Sequence, residues 1–349
     1  MPSDSSPTSD RHPRIVVFGA GSVGCYIGGR LLSAGADVVM IGRPRLRQMF
    51  DQQPLVVTDY QGFRFETALP PETYTDDESM AAGADLVLVT VKSAATGEAA
   101  HTLARHLNPG TPVISLQNGI SNGAQLQERL PDMQVCAGMV PFNVVQRHPG
   151  HFHHGTEGHL MVAARPELSG FLRYFQECGL ALELRRDMNQ VLWSKLLLNL
   201  NNPINALSNV PLREQLENRH YRRCLAMAQT ETLALMTQAG ITPVNLTPVP
   251  MKFLPLIMSL PDWLFARLAR KMLTIDPLAR SSMWEDLEAG RATEVDWING
   301  EVVRLAESMG REAPVNRRLT ELVHECEHTR RLWPGDELLE QLRSARKGG

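Results

Sequence analysis

The stretch Arg14-Ile15-Val16-Val17-Phe18-Gly19-Ala20-Gly21-Ser22-Val23-Gly24 decides how the rest of the chain is read. Its apolar, β-branched first half has the composition of a buried strand, and that strand ends in glycines. A helix-compatible segment follows over residues 23–34. In a strand–loop–helix setting Gly19 permits a tight turn, Gly21 lets a pyrophosphate approach the backbone, and Gly24 allows close helix–strand packing. The phosphates would lie on the positive end of the helix. The bare GxGxxG spacing is weak, because ordinary turns also use glycine. Its place behind a strand and before a helix makes dinucleotide binding the expectation.

Outward from this loop the same alternation continues. Residues 36–42, 84–91, 111–116 and 133–138 read as further strands, with helical segments such as 95–107 between them. Alternating strands and helices predict a parallel sheet covered on both faces. Near Asp187 the strand signals stop, and long helical patterns follow over 188–201, 213–239, 284–289, 294–309 and 315–330. Asp187-Met188-Asn189-Gln190 has the form of a capping box. The expected layout is a tail over 1–13, an α/β domain over 14–186, an all-α domain over 187–335 and a second tail over 336–349.

Bulk composition narrows the class. The 349 residues suit about two domains. With 35 Lys plus Arg against 38 Asp plus Glu, the net charge of −3 argues against a nucleic-acid binder. Five scattered cysteines, Cys25, Cys136, Cys178, Cys224 and Cys326, contain no CxxC pair and fit a reducing compartment such as the cytoplasm. The Ser- and Pro-rich start lacks an apolar core and reads as a disordered tail rather than a secretion signal. The lipophilic stretch 253–273 is broken by Pro255, Pro261, Asp262 and basic residues, so no membrane span is expected. Its amphipathic part, 261–270, fits a packed helix or a subunit contact, which would allow a homodimer, better than the alternative of docking on a membrane surface.

The residues after the second strand discriminate between cofactors. An NAD site offers an acid to the ribose, and an NADP site a cation to the 2′-phosphate. Ile41-Gly42-Arg43-Pro44-Arg45 has no acid before Asp51. Arg43 is therefore the expected 2′-phosphate clamp of NADPH, with Arg45 or Arg47 assisting, against the plainer alternative of a solvated basic loop.

In Trp193-Ser194-Lys195-Leu196-Leu197-Leu198-Asn199-Leu200-Asn201-Asn202-Pro203, Lys195, Asn199 and Asn202 share one helix face. A polar stripe in an apolar helix requires partners. An interdomain hydrogen-bond network would supply them, and so would a substrate oxygen beside the nicotinamide.

These residues, taken in order, resemble the ketopantoate reductase (2-dehydropantoate 2-reductase) family. Its carriers are the Gly19–Gly24 loop, Thr90-Val91-Lys92-Ser93, Gln117-Asn118-Gly119, and Trp193-Ser194-Lys195 with Asn199. To these add Ser281-Ser282-Met283 and Thr293-Glu294-Val295-Asp296-Trp297-Ile298-Asn299-Gly300. The resemblance implies a Rossmann-type dinucleotide-binding domain, an all-α C-terminal domain and a cleft in which NADPH reduces a 2-oxo acid. Lys195 aligns with the catalytic proton-donating lysine and Glu294 with the supporting acid. Asn118, Asn199 and Ser282 match substrate positions, Lys92 and Asn118 lie near the cofactor, and Arg43 falls at the 2′-phosphate position. The second substrate asparagine falls near Pro203, leaving Asn202 or Asn205. A reductase of another 2-oxo acid and a non-catalytic NADPH sensor are the alternatives.

Two competing signals need weighing. Ser282-Met283-Trp284-Glu285 also spells a capping box, and Thr293–Asp296 a helix start. Residues 282 and 294 on one straight helix would lie ~18 Å apart. A bend at Gly290 could bring both to one small ligand. The histidines His148, His151, His153, His154 and His159 suggest a metal site, but no cysteine, HExxH pattern or carboxylate accompanies them. No metal is expected. The many methionines of the helical half read as core filling.

Overall fold

In the computed structural model, which describes residues 12–268 and 278–348, β1 (Arg14–Phe18) is an interior strand of a large sheet. It pairs in parallel with β2 (Asp37–Ile41) and β6 (Leu86–Val89), so that Val16 stands beside Val39 and Val87. Successive side chains point to opposite faces of a strand. Ile15 and Val17 accordingly join Met40, Leu86 and Leu88 in one core, while Val16 and Phe18 join Ile41, Val87 and Val89 in another. Helices α1 (Ser22–Ser33) and α2 (Pro44–Phe50) cover the first face with Ile27, Leu31 and Phe50. Helices α3 (Thr96–His106) and α4 (Asn122–Arg129) cover the second with Ala99, Leu103 and Leu126.

The sheet has eight strands, with β5 (Tyr74–Thr75) at one edge beside β2. Beyond β6 come β7 (Pro112–Ser115), β8 (Gln134–Met139), β11 (Leu160–Ala163) and β12 (Leu182–Arg185). Only the β8–β11 pair is antiparallel. The predicted strands thus form the predicted parallel sheet, extended by short strands with weaker sequence signals.

A second sheet was not anticipated. It contains β3 (Leu55–Asp59), β4 (Arg64–Thr67), β9 (Val144–His148) and β10 (His151–His154), in the order β4-β3-β10-β9. Leu55, Val57 and Phe152 pack into the same core as Ile27 and Leu31 of α1. That helix is gripped from two sides. A Cβ on Gly28 would lie 2.5 Å from Met40 Sδ, and one on Gly29 would lie 2.7 Å from Val57 Cγ1. The helix α5 (Leu172–Glu177) completes this core with Tyr174 and Phe175. Of the expected N-terminal tail, 1–11 lie outside the described residues, whereas His12 Nδ1 sits 3.4 Å from Tyr174 Oη.

Two compact units emerge. Residues through Gln117, with Asn122–Arg186, form the first; Asn118–Ser121 and the chain from Asp187 onward form the second. All regular elements of the second are helices among the described residues: α6 (Met188–Asn199), α7 (Asn201–Ser208), α8 (Leu212–Glu217), α9 (Arg219–Gln238) and α10 (Leu254–Ser259), then α11 (Asp262–Leu268), α12 (Ser282–Glu288), α13 (Asn299–Ser308), α14 (Pro314–Thr329) and α15 (Gly335–Gly348). Their shared core includes the buried Met236, Met251, Met258 and Met283.

Several boundaries differ from expectation for local reasons. The helix read over 188–201 ends at Asn199, because Pro203 has no N–H to donate to the Asn199 carbonyl. The one read over 213–239 breaks at Asn218, whose side chain accepts from His220 N at 2.9 Å and caps α9. Asp187 holds the cap position of α6 without a side-chain capping bond, so the expected box is absent. Residues 336–349, read as a tail, largely belong to α15, which buries Leu338, Leu339 and Leu342. The amphipathic run begins as α11; its Phe265 is buried under the Arg222 guanidinium, 4.2 Å from the ring centre, while Trp263 is 71% exposed. Residues 269–277 lie outside the described residues. Among the described residues no helix is long and apolar enough to cross a membrane.

Candidate functional site

The glycine loop of the first unit is fastened to the end of β2. Gly19 N and Ala20 N donate to the Ile41 carbonyl at 2.9 and 2.8 Å, and Tyr74 Oη donates to the Ala20 carbonyl at 2.9 Å. Gly19 has φ +89°, and any Cβ there would overlap Val91. At Gly24 an added Cβ would meet Thr90 Oγ1 at 2.7 Å, whereas at Gly21 the nearest heavy atom would be 3.9 Å away. Open space therefore remains beside Gly21, at the N-terminus of α1. Ser22 and Val23 begin that helix, which has neither a side-chain cap nor an acid in its first turn. Its leading N–H groups form the positive end that favours an anion.

Arg43 caps α2 just beyond β2, and its side chain is exposed. The Arg43 guanidinium makes no hydrogen bond or ion pair with a described residue. Arg47, by contrast, pairs with Asp51 at 2.8 Å. Lys92 follows β6 on the surface of this unit and precedes a short 3-10 turn, Ser93–Ala95. The neighbouring Thr90 Oγ1 donates to the Gly19 carbonyl at 3.0 Å. Beneath these loops lies a buried polar network that sequence reasoning missed. Gln117 Nε2 donates to Thr96 Oγ1 at 2.7 Å, Ser115 Oγ to Gln117 Oε1 at 3.0 Å, and Asn122 Nδ2 to Ser93 Oγ at 3.1 Å.

In the second unit Lys195 and Asn199 lie one helical turn apart on α6. Lys195 is half-buried, and burial lowers its ammonium pKa to about 8. It makes no hydrogen bond or ion pair with a described residue. Asn205, one of the two candidates for the second asparagine, is fully buried and committed at both ends of its amide. Its Nδ2 donates to the Val210 carbonyl at 2.9 Å, and its Oδ1 accepts from Ser281 N at 2.8 Å. Asn202 keeps a half-exposed side chain, while its carbonyl accepts from Ser281 Oγ at 3.3 Å. These bonds bring the start of α12 to Asn202. Ser281, not Ser282, caps α12, accepting from Trp284 N at 3.2 Å. The expected box beginning at Ser282 is therefore displaced by one residue, leaving the exposed Ser282 hydroxyl outside the cap.

Gly290, at φ +66°, ends the helical path beyond α12. The segment read as a helix start at Thr293 forms a 3-10 turn, Val295–Trp297, ahead of α13. Glu294 stands at its cap position, 6% exposed, and accepts from Asn118 Nδ2 at 3.1 Å. Thr293 N donates to Glu327 Oε1 at 2.8 Å, which holds the turn against α14. The structure thus brings Asn118 to Glu294, and Asn202 to the Ser281–Ser282 step.

The histidines serve the second sheet. His151 Nε2 and His153 Nδ1 each lie 2.8 Å from Thr58 Oγ1, and His154 Nδ1 lies 3.0 Å from Tyr26 Oη. Burial lowers the pKa of all three rings. Among the described residues no group of three His, Cys, Asp or Glu side chains is placed to hold a metal.

Comparison with known proteins agrees with this architecture. The chain is 29% identical over 321 residues to the 2-dehydropantoate 2-reductase of Halobacterium salinarum, spanning 89% of this chain and 97% of that one. It is 27% identical to the enzyme of the same name from Archaeoglobus fulgidus, covering 91% and 99%. The crystal structure of a PanE/ApbA family ketopantoate reductase from Ralstonia eutropha superposes with a TM-score of 0.77 at 28% identity, covering 90% of this chain and 98% of that one. The family model for ketopantoate reductase PanE/ApbA matches residues 15–167, and that for its C-terminal domain matches 187–327. With most of its length so matched, the chain belongs to the ketopantoate reductase PanE/ApbA family.

Proposed function

We propose that this chain reduces 2-dehydropantoate to pantoate with NADPH, a step toward pantothenate and coenzyme A. The observation that carries the reading is Lys195: an ammonium without a hydrogen-bonded partner among the described residues, one turn from Asn199, with its pKa lowered by burial to about 8. A lysine so tuned holds its proton at neutral pH yet releases it more readily than an exposed lysine.

The residues of the first unit fit a dinucleotide. The open approach at Gly21 and the uncapped start of α1 suit a pyrophosphate, and Arg43, exposed and unpaired among the described residues, suits a 2′-phosphate. When bound, the reduced nicotinamide supplies a hydride to C2 of the oxo acid. Negative charge then gathers on the carbonyl oxygen, which Lys195 stabilises and protonates to give the 2-hydroxy acid. Asn199, Asn202 and Ser282 would donate to the substrate carboxylate and hydroxyl. Asn118 and Glu294, already hydrogen-bonded to each other, would orient the substrate, with Lys92 beside the cofactor.

The test is NADPH oxidation with ketopantoate beside a panel of other 2-oxo acids. Ketopantoate is expected to give the highest kcat/KM. Preference for another acid would reassign the substrate, and no turnover of any panel member would leave a binding protein.

A further inference from the structure

We propose that Glu301 is a positioning residue that sets the Asn118–Glu294 pair for the reaction proposed above, on which this inference rests. Residues 118–121 follow β7 and precede α4 in sequence, yet they belong to the helical unit. Besides the packing of Ile120 on the helical core, they are bound there by the Glu301 carboxylate on α13, 5% exposed. Its Oε1 accepts from Ile120 N at 3.3 Å, Ser121 N at 3.0 Å and Ser121 Oγ at 2.6 Å. An ionised acceptor strengthens each of these bonds, and a carboxylate so buried requires them.

The contacts close on themselves. Arg304, one turn along α13, lies 3.3 Å from the same Glu301 oxygen, and its Nη2 donates to the Asp296 carbonyl at 2.7 Å. Asp296 stands in the turn that presents Glu294, and Glu294 accepts from Asn118, three residues before Ser121. One chain of contacts therefore runs from Asn118 through Ser121, Glu301, Arg304 and Asp296 to Glu294, and the 3.1 Å Asn118–Glu294 bond completes it. Gly119, at φ +95°, supplies the left-handed bend between Asn118 and the clamped residues. Two side chains proposed for the substrate are thus linked through a third for which no substrate contact is proposed. Small displacements of such groups are costly to catalysis.

The experiment combines amide exchange with a double-mutant cycle. In Glu301→Ala the Ile120 and Ser121 amides are expected to exchange at least about tenfold faster than in the wild type, because their acceptor is gone. With ketopantoate, kcat is expected to fall about 10- to 100-fold while NADPH affinity stays within about twofold. Because one of its two routes to the pair runs through Asn118, the loss in Asn118→Ala/Glu301→Ala is expected to be smaller than the two single losses combined. Unchanged exchange, unchanged kcat, or losses that simply add would each overturn the proposal. Should Glu301→Ala fail to fold, Glu301→Gln replaces it: it keeps an acceptor oxygen but loses the charge, so faster exchange of the same amides, by about twofold or more, and a smaller loss of kcat are expected, and no change in either overturns the proposal. Wild-type turnover is measured first: its absence overturns the functional reading, whereas the exchange comparison still judges the clamp.

Discussion

Arg30 of α1 donates through Nη1 to Asp59 Oδ2 of the second sheet at 2.9 Å, with both side chains less than a tenth exposed. The same guanidinium donates to Tyr26 Oη at 3.1 Å and to the Cys178 carbonyl at 2.7 Å, and stacks 3.7 Å over the Phe63 ring. Removing one partner of such a pair strands the other charge away from water. Arg30→Met is therefore expected to lower unfolding stability by about 3 kcal/mol, measured by urea denaturation.

The same pair fixes an acid limit. Burial alone would raise the Asp59 pKa, but hydrogen bonds from Phe63 N, Arg30 and Gln61 N outweigh it and hold the pKa below the usual carboxylate value. A depressed carboxylate pKa contributes stability that is present above the unfolded value, about 3.9, and is lost as pH falls through the folded one. Asp59→Asn is expected to flatten the loss of stability below about pH 4, followed as a series of unfolding midpoints.

Lys195→Ala is expected to reduce kcat by about 10²- to 10⁴-fold, the usual span for a lost general acid. In the wild type, kcat/KM is expected to decline as pH rises through about 8, where the ammonium loses its proton. A pH–rate profile flat from neutrality to pH 10 would exclude Lys195 as the donor.

At the other end of the reaction, Arg43→Ala is expected to weaken NADPH binding about 10- to 100-fold, the range of one or two charge-assisted hydrogen bonds. NADH, lacking the 2′-phosphate, is expected to bind nearly as before. Titration of both cofactors by fluorescence makes the comparison, and equal losses would remove Arg43 from the 2′-phosphate.

His324 tests the turn that carries Glu294. Burial lowers its pKa, but Glu327 Oε2 at 3.0 Å and Asp296 Oδ1 at 3.1 Å outweigh this, and the net shift is upward. A raised histidine pKa gives stability that is full below the unfolded value, about 6.5, and is lost as pH rises through the folded one. His324→Gln is expected to flatten the fall of the thermal midpoint on the alkaline side of neutrality, measured calorimetrically. The ring is nearly half exposed, so the effect is small.

What could be read from the sequence follows from the range of the forces involved. β1, its glycine loop and the flanking strands announce themselves because both faces are buried, so that apolar runs and punctuation coincide. The second sheet does not, because Val56 pairs with His151 and Val57 with Phe152 across almost a hundred residues. No local window contains that register. Its inward residues Leu55, Val57 and Phe152 alternate with Thr58 and His153, which satisfy each other, so the histidines resembled ligands rather than strand residues. In the helical unit, Lys195 and Asn199 were visible as a stripe on one helix. The different surroundings of Asn202 and Asn205 were not, since they depend on Ser281 N and the Val210 carbonyl both meeting the Asn205 side-chain amide. Glu301 stayed hidden for the same reason, its donors lying about 180 residues away in the chain.

The helix behind the glycine loop carries Gly28 toward one sheet and Gly29 toward the other, and both neighbours come closer than any larger residue would permit. A helix wedged in this manner has no slack along which to recoil under the anion proposed for its tip. On that proposal the cradle is cast before the guest enters, so binding would spend little ordering entropy on the loop itself, and affinity there would report the electrostatics of the mould rather than the work of shaping it.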